Sequence, residues 1–305
     1  MKTLIVGSLS RDVGEALSAV SDISGDRVGV VVSDSREEAE KASAFGLRVY
    51  HVNTRNMEAA YSALLGVYEL EKPSLIVSVS TRNPRDLLSR LAGALDLPLV
   101  TGVRRIWVED GKVAYERTLL SERSISLEES ELPAVLLITP RLFKPAGAGS
   151  PGVVEEVSPG VEPRARIVEV RRKELGGARI EEAEIVVGVG RGFRRREDLE
   201  LAFQLADLLG GAVGGSRPIA ADLKWLPEDA WIGISGKRIS PKLYLAIGIS
   251  GAPQHMAGVS GSKIIVAVNK DKSAPIFRYA DYGVVADLYE FLPVLIRKLR
   301  ERGKA

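Results

Sequence analysis

Two stretches of this chain alternate short β-branched runs with helix-spaced apolar positions, and that rhythm restricts the fold more than any other feature. In the first hundred residues the runs are KTLIVG (2–7), RVGVVV (27–32), LRVYHV (47–52) and SLIVSVS (74–80). They are too continuously apolar for a sheet with one wet face, so they read as buried parallel strands. Between them, residues 11–21, 35–45, 56–70 and 84–95 space their apolar side chains by three and four, and segments of that length serve as crossover helices. Strand, crossover and strand in series build right-handed βαβ units and a sheet covered on both faces.

From 100 to about 180 the pattern changes to strand-like pieces, RRIWVEDGKVAYERTLL, AVLLITP and ARIVEVRRK, with the Pro- and Gly-rich FKPAGAGSPG between them. These pieces are expected to extend the first sheet. Near ELGGARIEEAE (174–184) two glycines and a charged stretch precede a fresh strand, IVVGVG, and the alternation restarts. Two α/β domains follow, 1–180 and 181–305, each a mainly parallel sheet flanked by helices. In the second, a helix over 197–209 is expected to bury Leu199, Phe203 and Ala206 and to stop at Gly210-Gly211. Asp287 is placed to cap a last helix with Leu288, Phe291, Leu295 and Leu299 on one face, and Pro293 to kink it.

Composition then removes whole classes of function. With no cysteine there is no disulfide, iron–sulfur cluster or thiolate nucleophile, and two histidines, His51 and His255, leave little for a metal cage. The net charge of +2 gives no overall attraction to nucleic acid or to an anionic membrane. No apolar run reaches the roughly 18 residues needed to span a bilayer, and the opening residues do not resemble a signal peptide. The expectation is a cytoplasmic protein that is not embedded in a membrane.

The chemistry gathers at glycine-rich strand ends in the second domain. VGVGRG (187–192) follows a strand, and its small residues are expected to let backbone amides approach a phosphate, with Arg191 adding a bidentate grip. It falls short of a dinucleotide fingerprint, because Phe193 and three arginines stand where a third glycine and a helix are required. Arg194, Arg195 and Arg196 read as a solvated face. GISGAPQHMAG (248–258) offers a second turn with Ser250 and a hydroxyl, and His255 there is either a ligand-facing or a packed histidine. GGSRP (214–218) presents Ser216 and Arg217, and WIGISGK (231–237) presents Ser235. His51 reads as structural, with no polar constellation around it. Four such strand ends in one α/β domain converge on one edge of its sheet, where such domains bind ligands.

Taken in order, GVGRG, GGSRP, GISGK, SPKLYLAIGISGAPQHMAG and IIVAVNKDKSAPIFRYADYGVVADLYEFLP resemble the FAD-binding domain of the electron transfer flavoprotein α subunit over about 184–300. The resemblance implies a Rossmann-like domain holding a non-covalent FAD, in a heterodimer with a β subunit. It implies an electron carrier rather than a substrate-converting enzyme, taking electrons from flavoprotein dehydrogenases and passing them to a membrane quinone reductase or another acceptor, with electron bifurcation left open. It assigns Arg191, Ser250, Gly251, Asn269, Asp287 and Leu288 to the ADP and ribityl side of the cofactor, and counts Gly248 and Ile232 among the cofactor contacts. Ser216, Arg217, the GISG loop at 233–236 with Ser235 and Gly236, Gln254 and His255 it assigns to the isoalloxazine side, with Arg217 and His255 as candidate cations there. Two departures stand out: Ile234-Ser235 where the family usually has Gln-Thr, and one residue more than usual between Arg217 and Asp222. The reading from another class is an NAD- or nucleotide-binding protein of related fold.

Overall fold

The computed structural model describes residues 1–120, 124–170 and 180–302 and divides into two units, Met1–Arg171 and Arg172–Ala305. Most of the glycine-containing stretch read as the domain boundary lies outside the described residues.

In the first unit the alternation is regular: β1 (Lys2–Gly7), α1 (Ser10–Ala19), β2 (Asp26–Val32), α2 (Arg36–Ser43), β3 (Arg48–Val52), α3 (Met57–Glu71), β4 (Leu75–Val79) and α4 (Arg82–Leu95). Asn56 caps α3, its Oδ1 accepting from the amides of Glu58 and Ala59 at 2.9 and 3.2 Å. Then β5 (Leu99–Glu109) turns back into β6 (Lys112–Leu119) through Asp110-Gly111, both at positive φ, which matches the twist of a tight hairpin. With β7 (Ser124–Ser130), β8 (Ala134–Ile138) and β9 (Val154–Glu156) the unit has one nine-stranded sheet, ordered β7-β6-β5-β8-β4-β1-β2-β3-β9. Only β5–β6 and β6–β7 are antiparallel. The middle pieces do extend the first sheet, with one exception. Residues 165–170 of ARIVEVRRK form no strand, and Val168 is 88% exposed there. Residues 171–173 lie outside the described residues.

His51 on β3 is fully buried, as a structural histidine should be. It is not, however, without polar partners: Nδ1 lies 2.9 Å from a Glu156 carboxylate oxygen, and Nε2 lies 3.0 Å from the Ser33 carbonyl. Arg36 reaches the same Glu156 oxygen at 2.8 Å. These contacts fasten the short edge strand β9 to β3.

The second unit begins with β10 (Ile185–Val189), followed by a 3₁₀ turn (Glu197–Leu199) that runs into α5 (Glu200–Leu209). Leu199, Ala202, Leu205 and Ala206 are buried, whereas Phe203, about 100° round the helix from Ala202, is 42% exposed, contrary to the sequence expectation. After β11 (Ala212–Gly215) come β12 (Leu243–Ile247), the four-residue α6 (Pro253–Met256), β13 (Ile265–Asn269), β14 (Tyr282–Val285) and α7 (Leu288–Arg302). In α7 the buried row is Leu288, Leu292 and Ile296, with Phe291, Leu295 and Leu299 packed beside it. Exposed Pro293 lies inside α7, which continues to Arg302. Asp287 Oδ1 accepts from the Tyr289 amide at 2.9 Å and so caps the helix. All five strands are parallel, ordered β11-β10-β12-β13-β14. The connections leave β10 in opposite directions, toward β11 and toward β12, so the topological switch point lies between β10 and β12.

Candidate functional site

Since the strands of the second unit are parallel, their carboxyl ends lie along one edge, and each end carries a loop the sequence singled out. Between these loops lies a cavity of about 610 Å³, within the size range of small-molecule and cofactor sites. Twelve of the residues assigned to the cofactor line it: Arg191, Ser216, Arg217, Ile232, Ser235, Gly248, Ser250, Gln254, His255, Asn269, Asp287 and Leu288. Gly236 and Gly251 do not. A Cβ on Gly236 would lie 2.4 Å from the Trp231 carbonyl oxygen, and one on Gly251, at φ +84°, would lie 2.3 Å from the Ile276 nitrogen. Both glycines allow neighbouring backbone to close in.

The glycines of GVGRG serve a different purpose from the one read in the sequence. The Gly190 amide donates to the Ile247 carbonyl and the Gly192 amide to the Gly248 carbonyl, each at 3.0 Å. Neither is left for a phosphate. Phe193 is buried and α5 starts only at Glu200, so no helix N-terminus stands behind this turn as an NAD fingerprint requires. Cations stand there instead. Arg191 and Lys270 both line the cavity, and among the described residues neither has a carboxylate partner. Lys270 directly follows the flagged Asn269, yet its position on the wall comes from the turn after β13, which residue spacing did not reveal. Arg194 also lines the cavity rather than standing on a plain solvated face: its guanidinium lies 4.9 Å above the Tyr289 ring and 3.5 Å from Asp287 Oδ2.

Asn269 is held by its neighbours, its Nδ2 donating to the Ile249 carbonyl at 2.9 Å and its Oδ1 accepting from the Asp271 amide at 3.0 Å. It locks the loops after β12 and β13 together. At the other end of the cavity, Arg217 has its Cζ 5.8 Å from the centre of the Trp231 ring and its Nε 3.6 Å from Asp222 Oδ1. Trp231 lines the cavity and was not flagged by the sequence. Between Arg217 and Leu223 the chain makes a π-turn over Pro218–Asp222, in which the Leu223 amide donates to the Pro218 carbonyl at 2.9 Å. The loop carrying Ser235 is tied to the next by the Ile234 amide, which donates to the Gln254 carbonyl at 2.9 Å.

His255 corrects another expectation. It is only 6% exposed, and burial pushes its pKa down to about 4, with the Ile232 carbonyl pulling weakly the other way. At neutral pH it is an uncharged ring, not a cation. Its Nε2 lies 2.7 Å from the hydroxyl of the fully buried Tyr244, while its Nδ1 makes no hydrogen bond of good geometry, the Ile232 carbonyl acting on the ring only as a nearby dipole. An unpaired buried nitrogen on a cavity wall, together with two unpaired cations, fits a ligand that brings an acceptor and an anionic phosphate.

Comparison with known proteins points the same way. Residues 179–260 match the family model described as the electron transfer flavoprotein FAD-binding domain, and residues 5–161 match that of the electron transfer flavoprotein domain. A protein of Syntrophomonas wolfei named electron transfer flavoprotein subunit alpha is 35% identical over 97% of this chain and 96% of its own length. The proteins of that name from Bacillus subtilis and Paracoccus denitrificans are 33% identical, over 97% of this chain and 94% of theirs, and 34% identical, over 96% of both.

Proposed function

This chain belongs to the electron transfer flavoprotein family, as an α subunit that binds FAD and transfers electrons, and on that premise we propose how its own residues hold the cofactor. The second unit, from about residue 181, binds one FAD in the 610 Å³ cavity at the carboxyl edge of its parallel sheet. Arg191 and Lys270 take the pyrophosphate, and the loops of Gly248, Ser250, Gly251, Asn269, Asp287 and Leu288 enclose that end. Ser216, Arg217, Ile232, Ser235, Gly236, Gln254 and His255 surround the isoalloxazine. The NAD-binding reading is not favoured.

When bound, FAD supplies the redox centre, accepting and releasing electrons. The chain's part is electrostatic and geometric. Arg217, held over Trp231, offers permanent positive charge where the ring gains electron density. His255, uncharged, offers a hydrogen bond without a full charge. Ser235 Oγ can donate or accept at the reactive edge of the ring. Ile232, buried and on the wall, keeps water from that side, as buried Val268 and Leu288 do at the pyrophosphate end.

The first unit, to about residue 180, is the partner-facing part, and the partner is a β subunit in a heterodimer. Leu120, just after β6, and Ile125 and Leu127, on the edge strand β7, are 77%, 55% and 70% exposed, apolar surface that suits such an interface. The complex works in the cytoplasm, taking electrons from flavoprotein dehydrogenases and handing them to a membrane quinone reductase. Among the described residues no helix is long and apolar enough to cross a membrane, so contact with such an acceptor is by docking.

The observation that carries this reading is the convergence of unpaired Arg191, unpaired Lys270 and the unpartnered His255 Nδ1 on one cavity. Coexpression with the β subunit and flavin quantitation test it. One FAD per heterodimer is expected, reduced several-fold by the double variant Arg191→Glu, Lys270→Glu. A complex that stays colourless after incubation with FAD would refute it.

A further inference from the structure

Tyr244 lies next to the cavity but is absent from its lining, and its phenol is fully buried in the second unit's core. Its hydroxyl occupies the space a side chain at 188 would need: a Cβ on Gly188 would come within 2.0 Å of that oxygen. The fit explains the first glycine of GVGRG, which the cofactor reading leaves without a role. Tyr244 is on β12 beside β10, with Val186 as its register partner, so its ring spans to the adjacent strand over the gap left by Gly188. The only hydrogen-bond partner of this hydroxyl among the described residues is His255 Nε2, at 2.7 Å.

That contact can be made in two ways. If Nε2 carries the ring proton and donates to the phenol oxygen, the Tyr244 O–H has no acceptor and the Nδ1 lone pair has no donor, so two buried groups go unpaired. If the phenol donates to Nε2, then Nδ1 carries the proton and Nδ1–H alone goes unpaired. Each unpaired buried polar group is a cost that water no longer offsets, so the second arrangement prevails. Burial keeps the phenol protonated and the imidazole neutral, which preserves both partners in these roles.

We propose that Tyr244 is a positioning residue that fixes His255 as the Nδ1–H tautomer, so that the ring faces the isoalloxazine of bound FAD as a neutral hydrogen-bond donor to a ring acceptor. This rests on the FAD reading of the cavity. Donation from a neutral group stabilises added electron density on the ring without placing a second charge beside Arg217, and it needs no proton to move. His255 is thereby set up from behind, by a side chain that does not line the site.

The chain has two histidines, so histidine-selective ¹⁵N labelling gives signals from two rings, and the His255→Gln protein shows which belong to His51. In the full chain stripped of flavin, His255 is expected to show a protonated Nδ1 and an unprotonated Nε2. Tyr244→Phe should abolish that single pattern. In the heterodimer, FAD should shift the wild-type Nδ1–H proton downfield, and Tyr244→Phe should keep its FAD while its first reduction potential falls. A wild-type ring protonated at Nε2 would overturn the proposal without any variant. So would a Tyr244→Phe protein with an unchanged tautomer and unchanged potential. If neither protein takes up FAD, the cofactor reading fails, and the tautomer of the stripped chain still decides what Tyr244 does.

Discussion

A Cβ on Gly192 would lie 2.6 Å from the Cα of Gly248, and one on Gly248 would lie 2.8 Å from the Cα of Gly192. The loops after β10 and β12 are thus in backbone contact at the switch point of the second sheet, and this contact forms the floor of the cavity's cationic end. Gly248 also sits at φ +64°, where an L side chain is strained by roughly 1–2 kcal/mol. Gly192→Ala adds only the clash, whereas Gly248→Ala adds clash and strain. Gly210, at φ +65° with nothing within 4 Å of its would-be Cβ, isolates the strain. Chemical denaturation of the three alanine variants should rank Gly210→Ala mildest, at about 1 kcal/mol, and Gly248→Ala worst. Flavin content should fall for Gly192→Ala and Gly248→Ala alone. A Gly248→Ala protein as stable as Gly210→Ala would show that the loop contact is soft.

Neutral His255 gives the second unit a defined response to acid. Its folded pKa, about 4, lies below the ordinary value of 6.5, so the unfolded chain takes up the proton first. The stability this contributes is complete above pH 6.5 and is lost as pH falls toward 4, by about 3 kcal/mol over that interval. His255→Gln removes the titration. Unfolding of the two proteins between pH 4 and 7.5 should show a wild-type slope that the variant lacks, and parallel curves would mean that the ring is accessible to protons in the folded state.

Asp12 on α1 responds with the opposite sign. Burial, reinforced by the neighbouring Glu15 carboxylate, raises its pKa to about 6, against hydrogen bonds from Thr81 and Ser8 that pull it down. The folded first unit therefore holds a proton that the unfolded chain releases. Its contribution is present below pH 3.8 and disappears as pH rises through 6. At pH 7.5 the ionised carboxyl costs roughly 1–3 kcal/mol, and Asp12→Asn, which keeps an acceptor for Thr81, should recover much of it. The variant's advantage should vanish near pH 4. An advantage equal at both pH values would implicate packing rather than ionisation.

The sequence made the strands and the site legible to different degrees, for physical reasons. Every parallel strand read from a β-branched run, such as IVVGVG or SLIVSVS, is a strand in the structure, because burial on both faces leaves no polar alternation to confuse the signal. Phe203 lies about 100° round α5 from Ala202, off the face that Ala202, Leu205 and Ala206 bury, and its spacing of four from Leu199 and three from Ala206 does not reveal that. The partner of His51, Glu156, is 105 residues away in the chain, beyond the reach of any local pattern. Similarly, no local pattern joins Tyr244 to His255 or places Trp231 under Arg217. The loops that converge on the cavity could be read one by one, but the side chains they bring into contact could not.

Arg217 is where those contacts matter most for electron transfer. Its guanidinium stands over Trp231 and within 3.6 Å of Asp222, so it is paired on one side and faces the cavity on the other. A planar, permanent charge can both stack on a flavin and stabilise the density it gains, whereas lysine keeps the charge and loses the plane. If charge dominates, Arg217→Lys should hold the first reduction potential near wild type. Arg217→Ala should then lower it by several tens of millivolts, on the order of 1–2 kcal/mol at roughly 59 mV per tenfold change. Asp222→Asn should raise the potential by less, since it removes a negative charge that offsets Arg217. If stacking dominates, the lysine and alanine variants should fall together. If Arg217 serves only its pair with Asp222, potentiometry at one pH and ionic strength should find all three variants at the wild-type potential. The double variant Arg217→Ala, Asp222→Asn completes the argument. A shift from Asp222→Asn that survives without Arg217 is the carboxylate's own field, and one that disappears without it acts through the guanidinium.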